Sequence, residues 1–192
     1  MTLKNHVPKC IMIFGLPGSG KSTFSLKLSR YLHLPLYHLD KYYFMEYWTK
    51  RDKSDFLRIQ QELVDQNSWI IDGNAIGSLE MRYKRADLVL YMCYPRRICF
   101  LRVFKRLFSR DPNIYDRAPN CQEQVEWELL KYLWQFDKRV APRLKILHET
   151  YPMTPFSKIT NDLDLKNIWD TLIEKKMNES SRDLNYQTAE KS

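Results

Sequence analysis

Gly15, Gly20, Lys21 and Ser22 stand at the spacing G-x-x-x-x-G-K-[ST], within the run Gly15-Leu16-Pro17-Gly18-Ser19-Gly20-Lys21-Ser22-Thr23. These residue types suit a chain of phosphates. Glycines let the backbone close around phosphate oxygens and turn several N–H groups inward. The lysine can reach the β- and γ-phosphates of a nucleotide, and the hydroxyl after it can ligate Mg²⁺. Gly15, Pro17, Gly18, Ser19, Gly20, Lys21, Ser22 and Thr23 are therefore the candidate nucleotide-binding residues, with Lys21 also catalytic.

Two carboxylates can complete such a site. Asp72 follows the apolar run Trp69-Ile70-Ile71. With Ser22 it is the candidate metal ligand, directly or through water. The competing reading is a turn-forming Asp-Gly. Asp40 follows Leu36-Tyr37-His38-Leu39 and is the candidate base or anchor for an acceptor hydroxyl. Its competing readings are a helix cap or a surface pair with Lys41. Phosphoryl transfer needs little more than an oriented nucleophile and cations around the γ-phosphate. Asn74 and Arg82 join Asp40 as candidate substrate contacts. Arg82 and Arg85 can equally pair with Glu80 or Asp87. His38 reads as a structural histidine.

The elements that must position these residues are legible in the hydrophobic pattern. Cys10–Phe14 is a short apolar run, and Phe24, Leu28, Tyr31 and Leu32 form a helical stripe after the loop. The loop thus sits between a strand and a helix, and the positive end of that helix adds to its field. Further strands are predicted at Leu36–Leu39, Trp69–Ile71, Leu88–Tyr94 and Phe156–Thr160. Ser54 is the expected cap of a helix carrying Phe56, Ile59, Leu63 and Val64. A short helix is expected over Ser78–Arg85. Pro95 opens another, with Ile98, Leu101, Phe104 and Phe108. A long helix carries one stripe of Val125, Leu129, Leu133, Phe136 and Val140 and a second of Trp127, Leu130 and Trp134, which predicts a wide buried face. Pro142 either kinks it or marks a new helix. Lys41–Lys53 is irregular or holds a helical turn.

Strands alternating with helices predict a parallel five-stranded sheet in a three-layer αβα fold. Ligands of such sheets bind at the carboxyl ends of the strands. The loop, Asp40 and Asp72 then share one rim, with His38 and Asp40 on one face if the strand continues through both.

Arg102, Lys105, Arg106 and Arg110 recur three to four apart and lead into Arg110–Cys121, which lacks an apolar period and contains Pro112 and Pro119. This reads as a small lid at about 110–121. Arg106, Arg110 and Arg117 are its candidate catalytic cations, against the alternative of a solvated basic face. Residues 1–177 form the expected single domain, and 178–192 a disordered polar tail.

Composition bounds the rest. Hydrophobic residues make up 44% and charged residues 28%, as in soluble globular domains. No run is long enough for a membrane span and no secretory pattern precedes the loop, so a cytoplasmic protein is expected. Cys10, Cys93, Cys99 and Cys121 form no C-x-x-C pair, and no disulfide is predicted. The net charge of +8 suits a polyanionic partner, either a nucleotide in a cleft or a nucleic acid on the surface.

The motifs resemble those of the DNA topology modulation proteins, a family of adenylate-kinase-related P-loop NTPases. The matching residues are Gly15–Thr23, Tyr37-His38-Leu39-Asp40-Lys41, Trp69-Ile70-Ile71-Asp72-Gly73-Asn74 and Arg85-Ala86-Asp87, with Pro95-Arg96, Arg102, Lys105-Arg106, Cys121 and Trp127–Phe136. The resemblance implies an adenylate-kinase-like fold and ATP use, and the family name an effect on DNA supercoiling. The chain departs from adenylate kinases after Asp72-Gly73. Asn74-Ala75-Ile76 stands where those enzymes continue [FY]-P-R, which argues against an AMP-like acceptor. The leading expectation is an ATP- and Mg²⁺-dependent phosphotransferase of unknown acceptor. The alternative is a nucleic-acid-associated ATP-binding protein or slow ATPase.

Overall fold

The computed structural model of the chain describes residues 6–106 and 127–189, with backbone alone for residues 106, 127–130 and 182–189. All five expected strands form: β1 (Cys10–Gly15), β2 (Leu36–His38), β3 (Trp69–Asp72), β4 (Leu88–Met92) and β5 (Phe156–Ile159). They make one parallel sheet in the order β2-β3-β1-β4-β5. Burial explains that order. Every residue of β1, β3 and β4 is buried, as strands covered on both faces require. β2 and β5 alone leave positions partly open, and they are the edges.

The helices are α1 (Lys21–Leu32), α2 (Leu39–Tyr43), α3 (Lys53–Val64), α4 (Leu79–Tyr83), α5 (Arg96–Arg106), α6 (Trp127–Thr150) and α7 (Asp162–Ala189). The stripe Phe24, Leu28 and Leu32 buries α1. Trp169 of α7 meets the rings of Phe24 and Tyr31 at 6.2 and 5.2 Å. On α6, Leu133, Phe136, Val140, Leu144 and Leu147 are buried. Phe136 lies 6.5 Å from Tyr91, which stacks on Phe14 at 4.8 Å, so α6 covers the centre of the sheet. The three-layer fold is the one the strand–helix alternation predicts. Among the described residues no helix is long and apolar enough to cross a membrane.

Several local expectations need correction. The cap of α3 is Asp52, whose carboxylate accepts from the N–H groups of Ser54 and Asp55. Ser54 has the right chemistry but lies two residues too late. α6 continues as one helix through Pro142, so Pro142 does not mark a new helix, and it leaves the Lys138 carbonyl without its helical donor. Its second stripe is not a buried face at Trp134, which is 63% exposed and has Arg96 over its ring at 5.2 Å. The expected tail from residue 178 is helical as far as Ala189. A helix already nucleated by Ile168 and Leu172 extends one backbone bond per residue without an apolar face. β2 stops at His38, and Asp40 is the second residue of α2. β2 loses its partner where β3 ends, at the register pair His38–Asp72. His38 is therefore buried and Asp40 exposed, so the two do not share a face.

Candidate active site

The phosphate loop closes on itself between β1 and α1. The Leu16 N–H donates to the Met92 carbonyl at 3.1 Å, and the Ser19 N–H to the Leu16 carbonyl at 3.1 Å. Lys21, the first residue of α1, bridges the loop by donating Nζ to the Leu16 carbonyl at 3.0 Å. Gly18 has φ +77°, and a Cβ there would run into the Cys99 carbonyl of α5. Only glycine meets both conditions. The Ser19 hydroxyl is buried with no hydrogen-bond partner among the described residues. A buried polar atom in that state is costly unless a ligand satisfies it.

The second wall begins where β3 ends. The Gly73 N–H continues the sheet by donating to the Ile13 carbonyl at 3.0 Å, which sets Asp72 beside the loop. Gly73 then turns at φ +140°, and a Cβ there would lie 2.7 Å from Leu39 Cβ of α2. Asp72 is 3% exposed, and its Oδ2 lies 2.9 Å from Nδ1 of His38. Asn74 accepts the Gly15 N–H through Oδ1 at 3.0 Å, tying this turn to the phosphate loop.

Arg82 lies beneath the turn and is fully buried. It donates to the Gly73 carbonyl at 2.7 Å and to the Asn74 carbonyl at 2.8 Å. Burial pushes its guanidinium down to about 9, against the opposing pull of Asp72 and Asp40. It thus remains a cation at neutral pH. The expected substrate contact is corrected accordingly: Arg82 shapes the turn from below. On a short helix after the strand, the apolar interior was nearer than the rim.

α6 supplies a third wall. Burial pushes the Tyr132 phenol upward, and the nearby Asp40 charge adds to this, while Arg139 and a hydrogen bond from the Asn74 side chain oppose it. Arg139 sits over the Tyr132 ring at 5.7 Å. Arg143 donates to the Ile76 carbonyl at 2.6 Å, fastening α6 to the turn after β3. Tyr132, Arg139 and Arg143 recur at i, i+7 and i+11, one face of a helix. That polar recurrence is the signal a sequence reading can use, and an apolar-stripe search passes over it.

On the other flank, Arg102 of α5 donates to the Ser19 carbonyl at 3.4 Å and pairs with Asp162 at 3.6 Å. It also lies over the Tyr94 ring at 4.7 Å. Burial, then the 2.8 Å bond to Asp162, pushes the Tyr94 phenol up to about 12. Of the expected lid, Arg110 and Arg117 lie outside the described residues, as does the side chain of Arg106.

The structure therefore gathers Gly15–Thr23, Asp40, Asp72 and Asn74 at one rim. A Mg²⁺ fits the donors there: Ser22 and Asp72 offer hard oxygens, which that ion prefers. Among the described residues no group of three or more His, Cys, Asp or Glu could hold a metal.

No family model matches the chain. The uncharacterized protein YqaC of Bacillus subtilis (strain 168) is 28% identical over 178 residues, covering 86% of this chain and 96% of its own. A shikimate kinase from Bacteroides thetaiotaomicron superposes with a TM-score of 0.52 at 17% identity, covering 84% of this chain and 97% of its own. A shikimate kinase from Acinetobacter baumannii, in complex with shikimate, gives a TM-score of 0.47 at 18% identity, with 87% and 94% covered. The likeness to the Bacteroides thetaiotaomicron enzyme shows a shared fold, the parallel sheet with a phosphate loop after its first strand.

Proposed function

We propose that this chain is an ATP- and Mg²⁺-dependent phosphotransferase. The observation that carries the proposal is the closed phosphate loop with its buried Ser19 hydroxyl, unpartnered among the described residues, opening onto a rim with carboxylates from two neighbouring segments. In this reading the loop amides and Lys21 hold the β- and γ-phosphates. Ser22 and Asp72 serve Mg²⁺, which when bound neutralises phosphate charge. Asp40 orients the acceptor hydroxyl, and Asn74 and Tyr132 line the space beside it. The hydroxyl oxygen forms a bond to the γ-phosphorus, the bond from that phosphorus to the β,γ-bridging oxygen breaks, ADP leaves, and Asp40 takes the hydroxyl proton. The motifs Tyr37–Lys41 and Trp69–Asn74 support placing the chain with the topology modulation proteins.

The test pairs calorimetric titration of ATP, with and without Mg²⁺, with a radiolabelled phosphate-transfer screen over sugars, polyols, nucleosides and 5′-hydroxyl oligonucleotides. Micromolar binding and one labelled acceptor class are the expected result. Absence of ATP binding sinks the proposal.

A further inference from the structure

Beside the phosphate loop, His38 and Asp72 come from adjacent strands at the last register pair of β2 and β3. Their side chains are 2.9 Å apart, Nδ1 to Oδ2, and the residues are 7% and 3% exposed. An ionised carboxylate only accepts hydrogen bonds, so Nδ1 must carry the proton. The contact therefore fixes both the tautomer of His38 and the rotation of the Asp72 carboxylate. It occupies one lone pair of Oδ2, which makes Oδ1 the less engaged oxygen for a cation. Arg82 lies near enough to feel the charge of Asp72, yet its guanidinium donates to the carbonyls of Gly73, Asn74 and Ala75. Orientation of the carboxylate thus falls to an imidazole, which in its neutral form donates a hydrogen bond without cancelling the negative charge a cation needs.

We infer that His38 is a positioning residue for Asp72, setting through Nδ1 which carboxylate oxygen serves Mg²⁺. The inference rests on the proposed assignment of Asp72 to the metal. Partners that orient a metal-binding carboxylate are commonly worth roughly 10–100-fold in metal affinity. The contribution belongs to one atom, and that makes it separable from a packing role. Asparagine carries its N–H donor the same number of bonds from the backbone as Nδ1. Glutamine carries it one bond further, and phenylalanine keeps ring bulk without a donor.

The experiment is calorimetric titration of ATP at a series of Mg²⁺ concentrations into wild type, His38→Asn, His38→Gln, His38→Phe and Asp72→Asn. Wild type and the three His38 variants should bind metal-free ATP alike. His38→Asn should keep the affinity gained on adding Mg²⁺, and His38→Gln and His38→Phe should lose roughly 10–100-fold of it. A wild-type gain in His38→Gln, or equal losses in His38→Asn and His38→Phe, overturns the inference. Asp72→Asn separates the two levels: a full Mg²⁺ gain in that variant removes the metal assignment itself, whereas a loss there with none in His38→Gln removes only the role of His38. If His38→Phe does not fold, the Asn and Gln variants still decide. Histidine ¹⁵N spectra of the metal-free wild type add an independent readout, in which an unprotonated Nδ1 of His38 overturns the inference.

Discussion

The phosphate loop and the wall facing it reach the same rim by different routes. Gly15 to Thr23 is one continuous stretch, closed by its own contacts, such as Ser19 N–H to Leu16 carbonyl and Lys21 across to Leu16. Asp40, Asn74 and Tyr132 come from α2, the turn after β3, and α6, and no short segment contains more than one of them. The first region is made by local chemistry. The second exists only because the fold has already formed. A local motif can be carried unchanged between proteins, while an assembled wall can vary one segment at a time, as a changing acceptor requires.

The sharpest way to break this contrast is at Lys21. Lys21→Ala should remove tight Mg-ATP binding and take turnover to background while leaving the melting temperature near wild type. Calorimetry and thermal melting check it together. A variant that binds and turns over ATP normally would show that the loop is not the donor site.

Asp40 tests the other region. Asp40→Asn should keep Mg-ATP affinity and lower transfer by roughly 10²–10⁴, the range for a positioned acid or base. Asp72→Asn should instead weaken the Mg²⁺ dependence and slow ATP hydrolysis even without acceptor. Turnover with and without acceptor, beside ATP titration, separates the two. Loss of ATP binding in Asp40→Asn would move that carboxylate to the donor side.

The same contrast explains what could be read from the chain. β1, β3 and β4 are continuous apolar runs, so their existence and parallel packing were legible, and the rim followed from topology. The loop was legible because its residues are neighbours. His38 was passed over because its partner is 34 positions away and one strand across. Arg82 reads as a substrate contact because sequence spacing gives its helix but not its depth. Trp134 was placed in a buried stripe because an apolar residue at the right period need not find a partner. Tyr132 and Arg143 were not singled out at all, since nothing near them in sequence names the turn they meet.

Arg82 should matter to the fold more than to the chemistry. Arg82→Met removes the donors to the Gly73 and Asn74 carbonyls and an interior positive charge beside two carboxylates. The cost should be on the order of 3 kcal/mol, because the carbonyls and the Asp72 charge it leaves behind stay buried. Denaturant unfolding measures it. A loss below about 1 kcal/mol, which an ordinary hydrogen bond would explain, would mean the turn holds itself.

The smallest expected effect lies at Asn74, where the two regions touch. The Gly15 N–H can only donate, so the amide of Asn74 must present Oδ1 to it and turn its NH₂ toward the Tyr132 phenol. One side chain thus joins the first glycine of the loop to α6. Tyr132→Phe deletes only the acceptor of that NH₂ and should cost about 1 kcal/mol of stability, with Mg-ATP affinity unchanged. Asn74→Ala also strips the Gly15 N–H of its partner and should weaken Mg-ATP binding as well. The double variant should cost less than the sum of the two, because the shared bond is lost once; a coupling of about 0.5 kcal/mol or more is the expected sign. If Tyr132→Phe lowers Mg-ATP affinity as far as Asn74→Ala does, α6 acts on the loop through this amide, and donor and acceptor sides are one cooperative unit instead of two regions that happen to meet.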